Sequence, residues 1–127
     1  MSFPSILLIE DDDNIREILA LTLESEGYKV QSTSNGAEAL DYLKTHAHPG
    51  LILLDWIMPL MNGAEFVKIQ DSDSRLRKIP TLIISATTPE LHQRFPAVQD
   101  CFLKPFSVSS LLERIRFFQL PEGMLAN

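Results

Sequence analysis

The chain has 127 residues, enough for one domain with its own core. Its 11 lysines and arginines against 17 aspartates and glutamates leave a formal charge of −6, which argues against a module that grips nucleic acid directly. Its longest apolar runs, such as Ile6–Ile9 and Leu51–Leu54, fall far short of the roughly 18 residues of a membrane span. No signal-like segment opens the chain, and the single cysteine, Cys101, allows no internal disulfide, which suits a reducing cytoplasm.

Short apolar runs alternate with amphipathic stretches. Ile6–Ile9 reads as a buried strand. Asn14 and Glu17 have capping-box spacing, and the helix after them places Ile15, Ile18, Leu19 and Thr22 on one face. Gly27 supplies a left-handed stop. Tyr28–Ser32 alternates as a second strand, and Asn35-Gly36 opens a helix carrying Ala37, Leu40 and Leu43. Leu51–Leu54 is a third strand. Breaks at Pro59, Asn62 and Gly63 precede a short helix with Phe66, Val67 and Ile69. Thr81–Ile84 is a fourth strand. The weakly patterned Thr87–Asp100 allows a short helix over Pro89–Gln93, and Phe102-Leu103 a short fifth strand. Ser107 caps a final helix that repeats Val108, Leu111, Leu112, Ile115 and Phe118.

Five strands alternating with helices predict an α/β domain with a mostly parallel sheet and helices on both faces. In such sheets the ligand site lies at the carboxyl ends of the strands. Those ends carry Glu10-Asp11-Asp12-Asp13, Asp55, Ser85 and Lys104-Pro105. Carboxylates converging there would repel one another unless a hard divalent cation joined them. Glu10, Asp11 and Asp55 with Lys104 and one magnesium ion sum to zero charge. A cation, an ammonium and a hydroxyl around Asp55 are the parts that phosphoryl transfer requires.

Five motifs, in this order and spacing, carry a resemblance over about Pro4 to Gln119. They are Ile6–Asp12, Leu51–Asp55 with Trp56 to Pro59, Gly63, Ile84-Ser85-Ala86, and Lys104-Pro105-Phe106. The chain resembles a bacterial two-component response-regulator receiver domain of the CheY-like family. The resemblance implies a doubly wound, flavodoxin-like sheet of order 2-1-3-4-5 and a single domain, with core about 4–119 and a tail over 120–127. It implies that Asp55 accepts a phosphoryl group from a sensor histidine kinase or phosphotransfer protein. Mg2+ would be bound by Asp11, Asp55 and the backbone carbonyl of Ile57, with Glu10 acting through a water. Lys104 and Ser85 would contact phosphoryl oxygens, and the Lys104–Pro105 bond would be cis. The residues expected to tune the lifetime of the phosphorylated state are Ile57 and Thr87. Ile57 offers no hydrogen bond to an attacking water, so slow hydrolysis is expected. Such a domain is not an enzyme in its own right. With only Leu120–Asn127 after Gln119, its output is expected through an unidentified downstream protein.

Two features depart from the family pattern. Cys101 stands where an aromatic switch residue is usual, with Phe102 beside it on the opposite strand face, and the Ser85–Lys104 stretch is short. These motivate an alternative, a phosphate-independent protein-binding pseudo-receiver. A magnesium-dependent aspartyl phosphatase is a more remote alternative, since Ile57 stands where that class carries a second aspartate. Simpler readings apply elsewhere. Asp12 and Asp13 fit a solvated helix start, His46 and His48 lack a third metal ligand, and a lone strand cysteine is ordinarily a small buried hydrophobe.

Overall fold

The computed structural model describes residues 5–58, 60–86 and 95–119. The elements run β1 (Ser5–Ile9), α1 (Asp13–Ser25), β2 (Lys29–Thr33), α2 (Gly36–Thr45), β3 (Leu51–Asp55), α3 (Gly63–Ser72), β4 (Thr81–Ser85), β5 (Val98–Leu103) and α4 (Val108–Gln119). A one-turn 3₁₀ helix, Leu76–Lys78, precedes β4. All strand pairs are parallel, in the order β2-β1-β3-β4-β5. The expected Pro89–Gln93 helix, Thr87, Pro59 and the tail lie outside the described residues.

Strand alternation builds two cores. Ile6, Leu8, Leu53, Leu82 and Ile84 face Leu19 and Leu23 of α1 and Leu111 and Ile115 of α4. Leu7, Ile9, Ile52 and Leu54 face Ala39 and Leu43 of α2 and Phe66 and Val67 of α3. β1, β3 and β4 are therefore apolar on both sides, which explains their unbroken runs.

Several expected boundaries and faces shift. α1 is capped not by Asn14 but by Asp12, whose extended backbone lets its carboxylate accept the Ile15 N–H at 3.0 Å. The capping box belongs to Asn62 and Glu65 at the start of α3. Ile18 is 64% exposed, because the seam of α1 runs through Leu19 and Leu23 one turn apart. Ile69 and Val108 are likewise exposed. β2 begins one residue later than expected; Tyr28 packs into the first core and Thr33 donates to the Leu8 carbonyl at 3.1 Å. β5 is longer than Phe102-Leu103: as an edge strand it carries Gln99 and Asp100, which hide its periodicity, and its pairing with β4 shifts between Thr81 and Leu82. Phe102 packs into the first core, and Cys101 stands in register with Ile83. Gly27 stops α1 at φ +97°, as anticipated.

Candidate functional site

Parallel register sets the strand ends side by side. Ile9 pairs with Leu54, Asp55 with Ile84, and Ser85 with Leu103. Glu10, one residue beyond β1, donates its N–H to the Thr33 carbonyl at 3.1 Å, and Lys104, one beyond β5, donates to the Ser85 carbonyl at 2.8 Å. The chemically distinct side chains thus meet along one edge.

One carboxylate oxygen from each of Glu10, Asp11 and Asp55 lies within 4.8 Å of the others. Glu10 and Asp55 are buried, at 1% and 4% exposure, while Asp11 is open to solvent. The Lys104 Nζ stands 3.4 Å from Glu10 Oε1 and 3.6 Å from Asp55 Oδ1. Glu10 Oε2 accepts the Asp12 N–H at 3.2 Å. Ser85 is fully buried at the end of β4, and the Lys104–Pro105 peptide is cis.

The charges do not balance, since one ammonium faces three carboxylates. Burial pushes the Asp55 carboxyl up to about 8; hydrogen bonding to Glu10, the Glu10 charge and hydrogen bonding to Asp11 add to this, and Lys104 opposes it. Burial pulls the Lys104 pKa down, but the charges of Glu10 and Asp55 outweigh it and leave the ammonium above its ordinary value. Three hard oxygen donors with an excess of negative charge fit a divalent cation such as Mg2+.

The loop after Asp55 is held close. Trp56 donates its N–H to the Ile84 carbonyl at 2.9 Å, and its own carbonyl accepts the Gly63 N–H at 2.8 Å. A Cβ at Gly63 would come within 2.6 Å of the Trp56 ring and 2.8 Å of its Cα. This explains a glycine eight residues after Asp55. Leu60, in the same loop, is 84% exposed and holds φ +68°, a conformation uncommon for a branched side chain.

A family model described as the response regulator receiver domain matches residues 6–116. The chain belongs to this family. Receiver domains are regulatory parts of two-component systems, and Mg2+ binding is general among them. This receiver domain is 32% identical over 114 residues to the transcriptional regulatory protein CpxR homolog of Haemophilus influenzae, covering 87% of this chain and 48% of that protein. It is also 32% identical to the polar-differentiation response regulator DivK of Brucella ovis, covering 90% of this chain and 94% of that one. The chain thus spans about half the length of several curated relatives and nearly all of DivK. Among solved structures, chemotaxis protein CheY4 of Vibrio cholerae superposes with a TM-score of 0.80 at 28% identity, covering 91% of this chain and 98% of that one. TrrA of Thermotoga maritima, determined in complex with Mg2+ and BeF, gives 0.78 at 25% identity, covering 91% and 99%. The fold is the CheY-like, flavodoxin-like receiver fold.

The structure gathers Glu10, Asp11, Asp55 and Lys104, with Ser85 at the end of the neighbouring strand. Ile57, two beyond Asp55, has an exposed side chain. His46 stacks on Tyr42 with ring centroids 4.0 Å apart, an alternative to metal binding. Sequence reasoning passed over Arg16. Its Nη1 donates to the Glu10 carbonyl at 2.9 Å, a contact signalled only faintly by its spacing from Asp13. Among the described residues, no helix is long and apolar enough to cross a membrane.

Proposed function

We propose that this receiver domain accepts a phosphoryl group on Asp55 from a sensor histidine kinase or phosphotransfer protein and thereby switches its binding to a downstream protein. The observation that carries this reading is the convergence of three carboxylate oxygens within 4.8 Å beside one ammonium at a strand-end edge. In the step itself, an Asp55 carboxylate oxygen forms an O–P bond as the P–N bond to the donor imidazole breaks. The donor ring carries a proton on its other nitrogen, so when the leaving nitrogen keeps the P–N electron pair the ring departs as neutral imidazole, and Asp55 becomes an acyl phosphate.

Asp11, Asp55 and the Ile57 backbone carbonyl would hold Mg2+, with Glu10 acting through a water. When bound, the ion neutralises charge and orients oxygens for in-line transfer. Lys104 supplies a point charge to a phosphoryl oxygen, and Ser85 donates its hydroxyl to another. Ile57 cannot align a water by hydrogen bonding, which favours slow hydrolysis of the acyl phosphate. The domain core is assigned to about 4–119 and the setting to the cytoplasm. The acidic balance favours protein partners over direct contact with nucleic acid.

Intact mass after incubation with Mg2+ and a small-molecule phosphodonor tests the reading. One added phosphoryl group, lost in Asp55→Asn and without Mg2+, is the expected result. No addition to the wild-type chain would overturn it. A second reading, a pseudo-receiver that signals by its surface alone, is favoured by the half-buried thiol of Cys101 where receivers usually carry an aromatic switch. Full partner binding and biological output in Asp55→Asn would establish that reading instead.

A further inference from the structure

Arg16 lies in the second turn of α1, yet its side chain turns back toward the strand end and is only 22% exposed. Nη1 donates to the Glu10 carbonyl at 2.9 Å and reaches the Asp11 carbonyl at 3.4 Å, while Nη2 pairs with Asp13. The two carbonyls belong to consecutive residues whose side chains supply two of the three carboxylates of the acidic cluster. Besides its contact with Lys104, Glu10 is held at three points. Its N–H is tied to Thr33, its carbonyl to Arg16 and its carboxylate to the Asp12 N–H.

We propose that Arg16 is a positioning residue for the cation site: its guanidinium clamps the turn after β1 so that the Glu10 and Asp11 carboxylates face Asp55. The inference rests on the reading of that cluster as a Mg2+ site. A planar fork can serve adjacent carbonyls and a carboxylate together, whereas a lysine presents a single point charge.

The sign of the effect separates positioning from simple electrostatics. A positive charge near a cation site weakens binding by repulsion, so neutralising Arg16 would tighten binding if charge were all it contributed. Loss of a clamp weakens binding instead. Groups that orient metal ligands are worth roughly tenfold or more in affinity when removed.

The test counts bound Mn2+ by electron paramagnetic resonance, with Mg2+ as competitor, on the wild-type chain, Arg16→Gln, Arg16→Lys, Asp13→Asn and Asp11→Asn. Circular dichroism and urea unfolding without metal check each fold. Folded Arg16→Gln and Arg16→Lys are expected to bind roughly tenfold more weakly, and Asp13→Asn to stay within about twofold, as for an exposed pair. If Arg16→Gln does not fold, Arg16→Lys, which keeps the charge, decides. Unchanged or tighter binding in the folded Arg16 variants overturns the proposal. An equal loss in Asp13→Asn also overturns it, by moving the effect to that ion pair. No binding by the wild-type chain, or full binding by Asp11→Asn, would instead overturn the site reading and the proposal with it.

Discussion

β5 feeds two different clusters of acid and base. Lys104, just past its end, reaches Glu10 and Asp55, which are almost fully buried. Asp100, earlier in the strand, meets the Arg114 Nε of α4 at 3.3 Å, with side-chain exposures of 46% and 33%. The Arg114 guanidinium also lies over the Phe117 and Phe118 rings, 5.1 and 4.9 Å from their centroids. In the second cluster the cation and the acid match one to one, and both side chains are partly exposed. In the first, three acids share one cation, and two of those acids are out of water. Charge balanced near solvent serves packing, whereas charge left unbalanced in a buried place is poised to take up a ligand.

The largest expected contrast comes from removing each cation. Lys104→Met, without metal at pH 8, is expected to lose about 3 kcal/mol in urea unfolding, because it strands buried carboxylates. Saturating Mg2+ should recover part of that loss. A loss near zero would show that the first cluster is no more demanding than the second.

The pH profile follows from Asp55. Its folded carboxyl titrates near 8 against an ordinary 3.8, so the folded state holds the proton more tightly. The stabilisation is complete below the unfolded pKa and fades as pH rises through the folded one. Metal-free stability should therefore fall from about pH 4 to about pH 8, and Asp55→Asn should flatten that slope. A slope unchanged in Asp55→Asn would place the proton elsewhere.

Gly63→Ala should cost about 2 kcal/mol in the same assay, since the methyl must displace Trp56 backbone. The Trp56 emission spectrum should shift with it. The smallest effect is expected at the second cluster, where Arg114→Met should cost about 1 kcal/mol. Raising the salt concentration should weaken the Asp100–Arg114 pair while leaving the buried Lys104 contacts largely intact. A loss at Arg114 equal to that at Lys104 would erase the contrast.

The sheet was legible because β1, β3 and β4 are apolar on both faces and short, a pattern helices of this size do not show. Each apolar run is followed at once by a residue of the site, Glu10, Asp55 or Ser85, so the acidic edge was readable too. The edge strands were harder. Gln99 and Asp100 blur the start of β5, and Tyr28 is buried ahead of β2 rather than within it. Caps depend on backbone angle more than on residue type, so Asp12 could not be told from Asn14 by spacing. Arg16 escaped notice because its partners are carbonyl oxygens, which every residue carries and no sequence distinguishes.

The raised Asp55 carboxyl has one more consequence. At neutral pH without metal, that group is mostly protonated. The oxygens can serve a hydron or a divalent ion but not both fully, so acid acts as a competitive antagonist of the metal. Ion uptake near neutrality should then discharge acid into the buffer. Calorimetric heats of Mg2+ binding should differ between buffers of unlike ionisation enthalpy, and that dependence should vanish well above pH 8.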